Sequence, residues 1–209
     1  MDSAERTAKE LEIRELQSRV TQLQSELAAA APKWERPKYY AAYYATTGFM
    51  LGIFGAAASL LFNVVGSAWV NQSPLKLIQI YLTFPLGEDA LKAEMASGVA
   101  LAVGCCLYLG TGMLLGVPVY LALTKLVGES ADLTKRLVVA TVLGIAIWLI
   151  NFYGILSWLQ PMLFGGNWIV QLVPWWVACV THLVFTWTMA IVYPHGLYRH
   201  YESPQSASS

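Results

Sequence analysis

The chain has 209 residues, only 12% of them charged, and a mean hydropathy of +0.51. Soluble domains carry about 25% charged residues, so this composition excludes an ordinary soluble globule. The formal net charge of zero gives no support for nucleic-acid binding. Between Arg136 and Arg199 lie 62 residues without Asp, Glu, Lys or Arg. That stretch suits two membrane crossings, since about 20 residues span the hydrocarbon core.

Residues 5–30 are predicted to form a helix on which apolar residues recur at alternating intervals of three and four. The repeat consists of Ile13, Leu16, Val20, Leu23 and Leu27. Branched residues at a with leucine at d favour a parallel two-stranded coil. We therefore predict a coiled-coil-like helix that binds a second copy of the chain or another subunit. The alternative is a solvated amphipathic helix lying on its own protein or on the membrane surface.

Four apolar segments are predicted to cross a membrane, which makes the fold an all-α integral membrane bundle. They lie at about residues 43–69, 95–123, 137–158 and 175–193. Between the first two, residues 74–84 predict a short helix that lies in the outer membrane interface. An ordinary covered loop helix is the alternative for that segment.

Basic residues are concentrated on one side of this four-span topology. Seven lie there, against two on the other side: Lys33, Arg36, Lys38, Lys125, Lys135, Arg136 and Arg199. Basic loops stay in the cytoplasm, so both termini are predicted to be cytoplasmic. Residues 1–38 are then a cytoplasmic helix and linker, 39–198 the membrane domain, and 199–209 a disordered tail. The first 30 residues lack the apolar region of a signal peptide, which favours an uncleaved protein of the bacterial cytoplasmic membrane.

Small residues recur at intervals of four in the first two spans, where they let helix backbones approach closely. The residues concerned are Gly48, Gly52, Ala100, Gly104, Gly112 and Gly116. We expect them to pack helices within the bundle, and contact with another subunit is the alternative.

Isolated polar residues inside the spans are predicted to form one layer, about 10–13 Å below the outer surface at about 1.5 Å per residue. They are Asn63, Asn151, His182 and Thr186. Intramembrane polar residues often mark functional sites. One interpretation is a small site for a quinone, a pigment or a transported solute. The other is hydrogen bonding between helices that locks the bundle.

Catalytic motifs and metal-ligand spacings are absent from the sequence, so we predict neither an enzyme nor a resident metal or cofactor. The favoured function is an accessory or scaffold subunit of a larger membrane complex, with lipid, other membrane subunits or a second copy as partners. A small channel or transporter built from two helical hairpins is the first alternative. A subunit that binds haem or quinone at His182 is the second.

Overall fold

The computed structural model describes residues 3–30, 40–69, 73–128 and 130–198. In these residues the regular structure is entirely helical, in agreement with the predicted all-α class. The chain divides into two compact units, Met1–Tyr39 and Tyr40–Ser209. The predicted linker up to residue 38 lies outside the described residues from residue 31 onward, and so does the predicted tail at 199–209.

The first unit contains helix α1, Ser3–Ala30, which covers the predicted N-terminal helix. The five residues of the heptad repeat lie on this helix with 44% to 71% of each side chain exposed. Arg19 donates to Gln22, and Gln22 donates to Glu26, along the same helix. The structure shows a helix, and its pairing into a coil is taken up under the proposed function.

The second unit contains eight α-helices. They are α2 (Ala41–Trp69), α3 (Lys76–Tyr81), α4 (Thr83–Leu86), α5 (Gly98–Leu126), α6 (Leu133–Trp148), α7 (Ser157–Phe164), α8 (Trp168–Leu172) and α9 (Trp175–Val192). A π-helical segment, Leu149–Leu156, joins α6 to α7 into one continuous helix, which we call the α6–α7 rod. Short 3₁₀ turns occupy Gly87–Leu91, Ala93–Ala96 and Tyr193–Gly196.

Four helices of this unit are long and apolar enough to cross a membrane. Their spans are Ala41–Ser67, Gly98–Leu126, Leu133–Phe164 and Trp175–Gly196. The third is longer than the predicted 137–158, because Asp132 caps its start and Gly165 ends it. The Asp132 carboxylate accepts from the Lys135 amide at 3.4 Å. Gly165 adopts φ +79°, a left-handed conformation that glycine accepts without steric cost.

The spans pack in the order α5, α2, α9, α6. Helix α2 makes its most extensive contact with α5, α9 packs on both α2 and α6, and α5 barely touches α6. Tyr40 and Tyr198 meet edge to face at one end of the bundle, which we call the termini end. Residues 73–97 and 165–174 lie at the other, the loop end. There α3, α4 and α8 contact one another and cover the bundle; we call these three helices the loop-end cover.

The contact between α2 and α5 depends on glycine. A Cβ atom added to Gly52 would lie 2.5 Å from the Gly112 carbonyl oxygen, and one added to Gly48 would lie 2.7 Å from the Gly116 carbonyl oxygen. These four predicted packing residues therefore lie in one contact within the chain. Gly104 instead faces Ile78 and Leu82 at the loop end, and Ala100, one turn earlier, is partly buried. The small residues of α5 thus serve two different contacts.

Candidate functional site

Asn63 joins α2 to α9 through hydrogen bonds. Its amide nitrogen donates to the Thr181 hydroxyl at 3.1 Å and to the Ser59 carbonyl at 2.7 Å. The Ser59 hydroxyl in turn lies 2.9 Å from the Tyr108 hydroxyl on α5. Asn63 and Ser59 are buried, so this chain of hydrogen bonds ties three spans together at one level.

Thr186 is fully buried where α9 meets α6. Its hydroxyl donates to the His182 carbonyl at 3.1 Å within its own helix. A Cβ atom added to Gly144 would lie 2.6 Å from the Thr186 oxygen. The side chain therefore fills a helix contact, and no cavity reaches it in the part of the chain that the structure describes.

Asn151 and His182 lie on the wall of one cavity of about 580 Å³ inside the membrane unit. Asn151 lies in the π-helical segment of the rod, and π-helical turns are frequent at functional sites. Since the rod continues to Phe164, Asn151 lies 13 residues from its end, about 20 Å along the axis at the α-helical rise. The shallower depth expected from the sequence assumed a shorter helix. The structure thus brings Asn151 and His182 to one cavity and leaves Asn63 and Thr186 in helix contacts.

The His182 imidazole has one ring nitrogen occupied. Its Nδ1 lies 2.7 Å from the Ala178 carbonyl oxygen. Because a carbonyl only accepts, Nδ1 carries the hydrogen in this bond, and in the neutral imidazole Nε2 is then a free acceptor. The ring therefore offers an acceptor at the cavity, and the same nitrogen is the one that could bind a metal or haem iron.

The walls of the cavity come from every layer of the membrane unit. Spans α2, α5, α9 and the rod form the sides, and residues of the loop-end cover close one end. Tyr81 of this cover is hydrogen-bonded to Thr111 of α5. Burial raises the pKa of the Tyr81 hydroxyl above its ordinary value, and the bond to Thr111 opposes that rise. The phenol is therefore a neutral group at neutral pH.

A second buried polar cluster holds the loop-end cover to the rod. Gln160 of α7 is fully buried; it donates to the Thr83 hydroxyl at 3.0 Å and accepts from the Ile169 amide at 3.0 Å. Sequence reasoning missed this residue because the third span was expected to end at residue 158. The available signal was an isolated glutamine, beside a proline, inside the long stretch without charged residues.

Comparisons of this chain with protein-family models, with curated proteins and with solved structures gave no match. The fold itself defines the class. Four helices with the length and composition of membrane spans support a multi-pass membrane protein with an all-helical membrane unit.

Proposed function

We propose that this protein is a non-catalytic accessory or scaffold subunit that assembles with a second copy of itself through α1. The observation that carries the proposal is the heptad stripe on α1, whose residues are exposed although leucine, isoleucine and valine favour burial. The proposal includes the orientation inferred from the basic residues, which puts α1 on the cytoplasmic side of a bacterial membrane.

The residues beside the stripe favour a parallel pair of identical helices. In a parallel coil, g residues face the e residues of the next heptad, which brings Glu12 beside Gln17 of the other copy and Arg19 beside its Gln24. Neither contact joins like charges. A fully overlapping antiparallel pair would instead bring Arg19 close to Arg19 of the other copy, and Glu12 close to its Glu26. Like-charge contacts of this kind disfavour the antiparallel arrangement.

The coil has fewer than three full heptads, and isolated helices of this length are marginal in water. Its strength therefore depends on the membrane unit, because confinement to one bilayer raises the effective concentration of the two helices. Weak pairing in dilute detergent and stronger pairing in a bilayer are expected from the same interface.

The experiment compares two leucines on α1, both more than half exposed. Leu16 is a d residue of the stripe, whereas Leu11 lies at an f position on the opposite face. We expect Leu16→Cys to form a disulfide between two copies in proteoliposomes and Leu11→Cys to form little. We also expect Leu16→Asp to lower the mass of the protein in detergent to that of a monomer, while Leu11→Asp leaves the wild-type mass. Equal behaviour of the two positions, or a monomeric wild type in the bilayer, would refute self-association through α1.

A small channel or transporter of two helical hairpins is the second candidate. The observation that favours it is the pairing of α2 with α5 and of α6 with α9, since each pair joins consecutive spans. Solute flux into proteoliposomes that is abolished by Asn151→Leu would support this function. Wild-type vesicles as tight as protein-free vesicles would count against it.

A further inference from the structure

The cavity opens toward the side of the bundle. Leu107 of α5 and Ile155 of the rod lie on two of its walls, and they are 41% and 38% exposed. Both lie within the spans, and α5 and α6 barely touch. The opening therefore faces the direction from which a molecule dissolved in the hydrocarbon core of a membrane would enter.

Two polar groups on the cavity wall lack partners in the chain. The Asn151 amide makes no hydrogen bond among the residues that the structure describes, and His182 Nε2 likewise has none there. An unpaired polar group in an apolar environment costs several kcal/mol, and the lipid core holds little water to pair it. Together they offer a donor and an acceptor to a bound molecule: the Asn151 NH₂ group for a carbonyl oxygen, and His182 Nε2 for a hydroxyl.

The rest of the described wall specifies a neutral molecule with a ring. No charged side chain lines the cavity among the described residues, so an ionic headgroup would be buried without a counter-charge. Aromatic rings reach it from four sides: Tyr81, Phe84, Tyr108, Phe152 and Phe185. Aromatic rings favour offset or edge contacts with another flat ring, and a cavity of about 580 Å³ lies within the range of small-molecule sites.

We propose that this cavity binds a membrane-soluble quinone or its quinol, with the ring among the aromatic side chains and the hydrocarbon tail leaving between α5 and the rod. The Asn151 amide donates to a ring carbonyl oxygen, and His182 Nε2 accepts from a ring hydroxyl in the reduced form. Binding is the whole of the proposal, and it does not rest on the self-association of α1.

The experiment measures binding of decylubiquinone to the full-length protein in mild detergent, followed by quenching of tryptophan fluorescence. Loss of one hydrogen bond corresponds to about a fivefold to tenfold weaker affinity. We expect that loss for Asn151→Leu and for His182→Phe, each of which preserves size while removing the polar group. Ile155→Trp, which adds bulk at the opening, is expected to abolish saturable binding. Thr188→Val is the matched control, because Thr188 bonds only within α9 and does not line the cavity.

A second measurement identifies what the protein carries from the membrane. Organic extracts of the purified wild type are expected to contain quinone near one equivalent, and extracts of the Asn151 and His182 variants much less. Non-saturable binding by the wild type, or equal affinity in all four variants, would overturn the proposal. A fatty acid or a phospholipid recovered in stoichiometric amount in place of quinone would overturn it as well. Thermal melting of each variant separates loss of binding from loss of folding.

Discussion

Gly116→Ala tests the reasoning about the α2–α5 contact most directly. A Cβ atom at this position would clash with the Gly48 carbonyl oxygen and would lie 2.7 Å from the Gly52 Cα atom, where ordinary contacts begin near 3.4 Å. Both obstacles are backbone atoms, so a side-chain rotation cannot remove them. The two helices must separate by about 0.7 Å, and overpacking of this kind costs about 1–3 kcal/mol.

The same methyl group would be favourable elsewhere on α5. Replacing glycine with alanine inside a helix stabilises it by about 0.5–1 kcal/mol, and a Cβ atom on Gly110 meets nothing within 4 Å. Gly110→Ala is therefore the matched control, six residues away on the same helix. After subtracting the helical gain, we expect Gly116→Ala to lower the free energy of unfolding by about 1–2 kcal/mol.

The assay is reversible unfolding in mixed micelles with increasing denaturing detergent, followed by circular dichroism or tryptophan fluorescence. We expect the midpoint to fall for Gly116→Ala and to stay or rise for Gly110→Ala. If both variants unfold at the wild-type midpoint, the helices are not held at the distance described here. If both fall equally, the effect comes from glycine in general and not from this contact.

Two further predictions concern the loop-end cover. Gln160→Leu removes both hydrogen bonds of a fully buried side chain and leaves the Ile169 amide without that acceptor, so we expect a loss of about 1–3 kcal/mol in unfolding. Gln171→Leu, the same change at an exposed position, is expected to unfold like the wild type, and similar losses would contradict the role of the cluster. Since burial raises the pKa of Tyr81 above that of the unfolded chain, its contribution to stability is complete below about pH 10 and falls above it. Tyr81→Phe should therefore flatten the decline of the melting temperature above pH 10, and an unchanged pH profile would refute this assignment.

The sequence predicts the class of fold well because the signal is long and additive. Each membrane span needs about 20 apolar residues, and four such segments lie between clusters of charged residues. The ends of the helices were harder to place. Trp158 resembles the aromatic residue expected at a membrane interface, yet the rod continues to Phe164, where Gly165 provides the left-handed conformation that ends it.

The pairing of helices could be anticipated only in part. Spacing of four identifies a glycine face but does not say which neighbour it meets, and the small residues of α5 illustrate the ambiguity. Gly112 and Gly116 pack against α2, whereas Gly104 packs against side chains of the loop-end cover. The position of that cover depends on contacts between residues distant in sequence, such as Gln160 with Thr83, and no local pattern encodes them.

The two intramembrane asparagines look alike in the sequence and differ in what the folded chain supplies to them. Asn63 finds Thr181 and the Ser59 carbonyl within hydrogen-bond distance, so its amide is satisfied by neighbouring helices and acts as a link between them. Asn151 faces a cavity and finds no such partner in the described residues. A buried amide without a partner is unfavourable in hydrocarbon. A molecule that supplies the missing oxygen atom would therefore gain binding energy at Asn151 and none at Asn63, which is why we place the ligand site at Asn151.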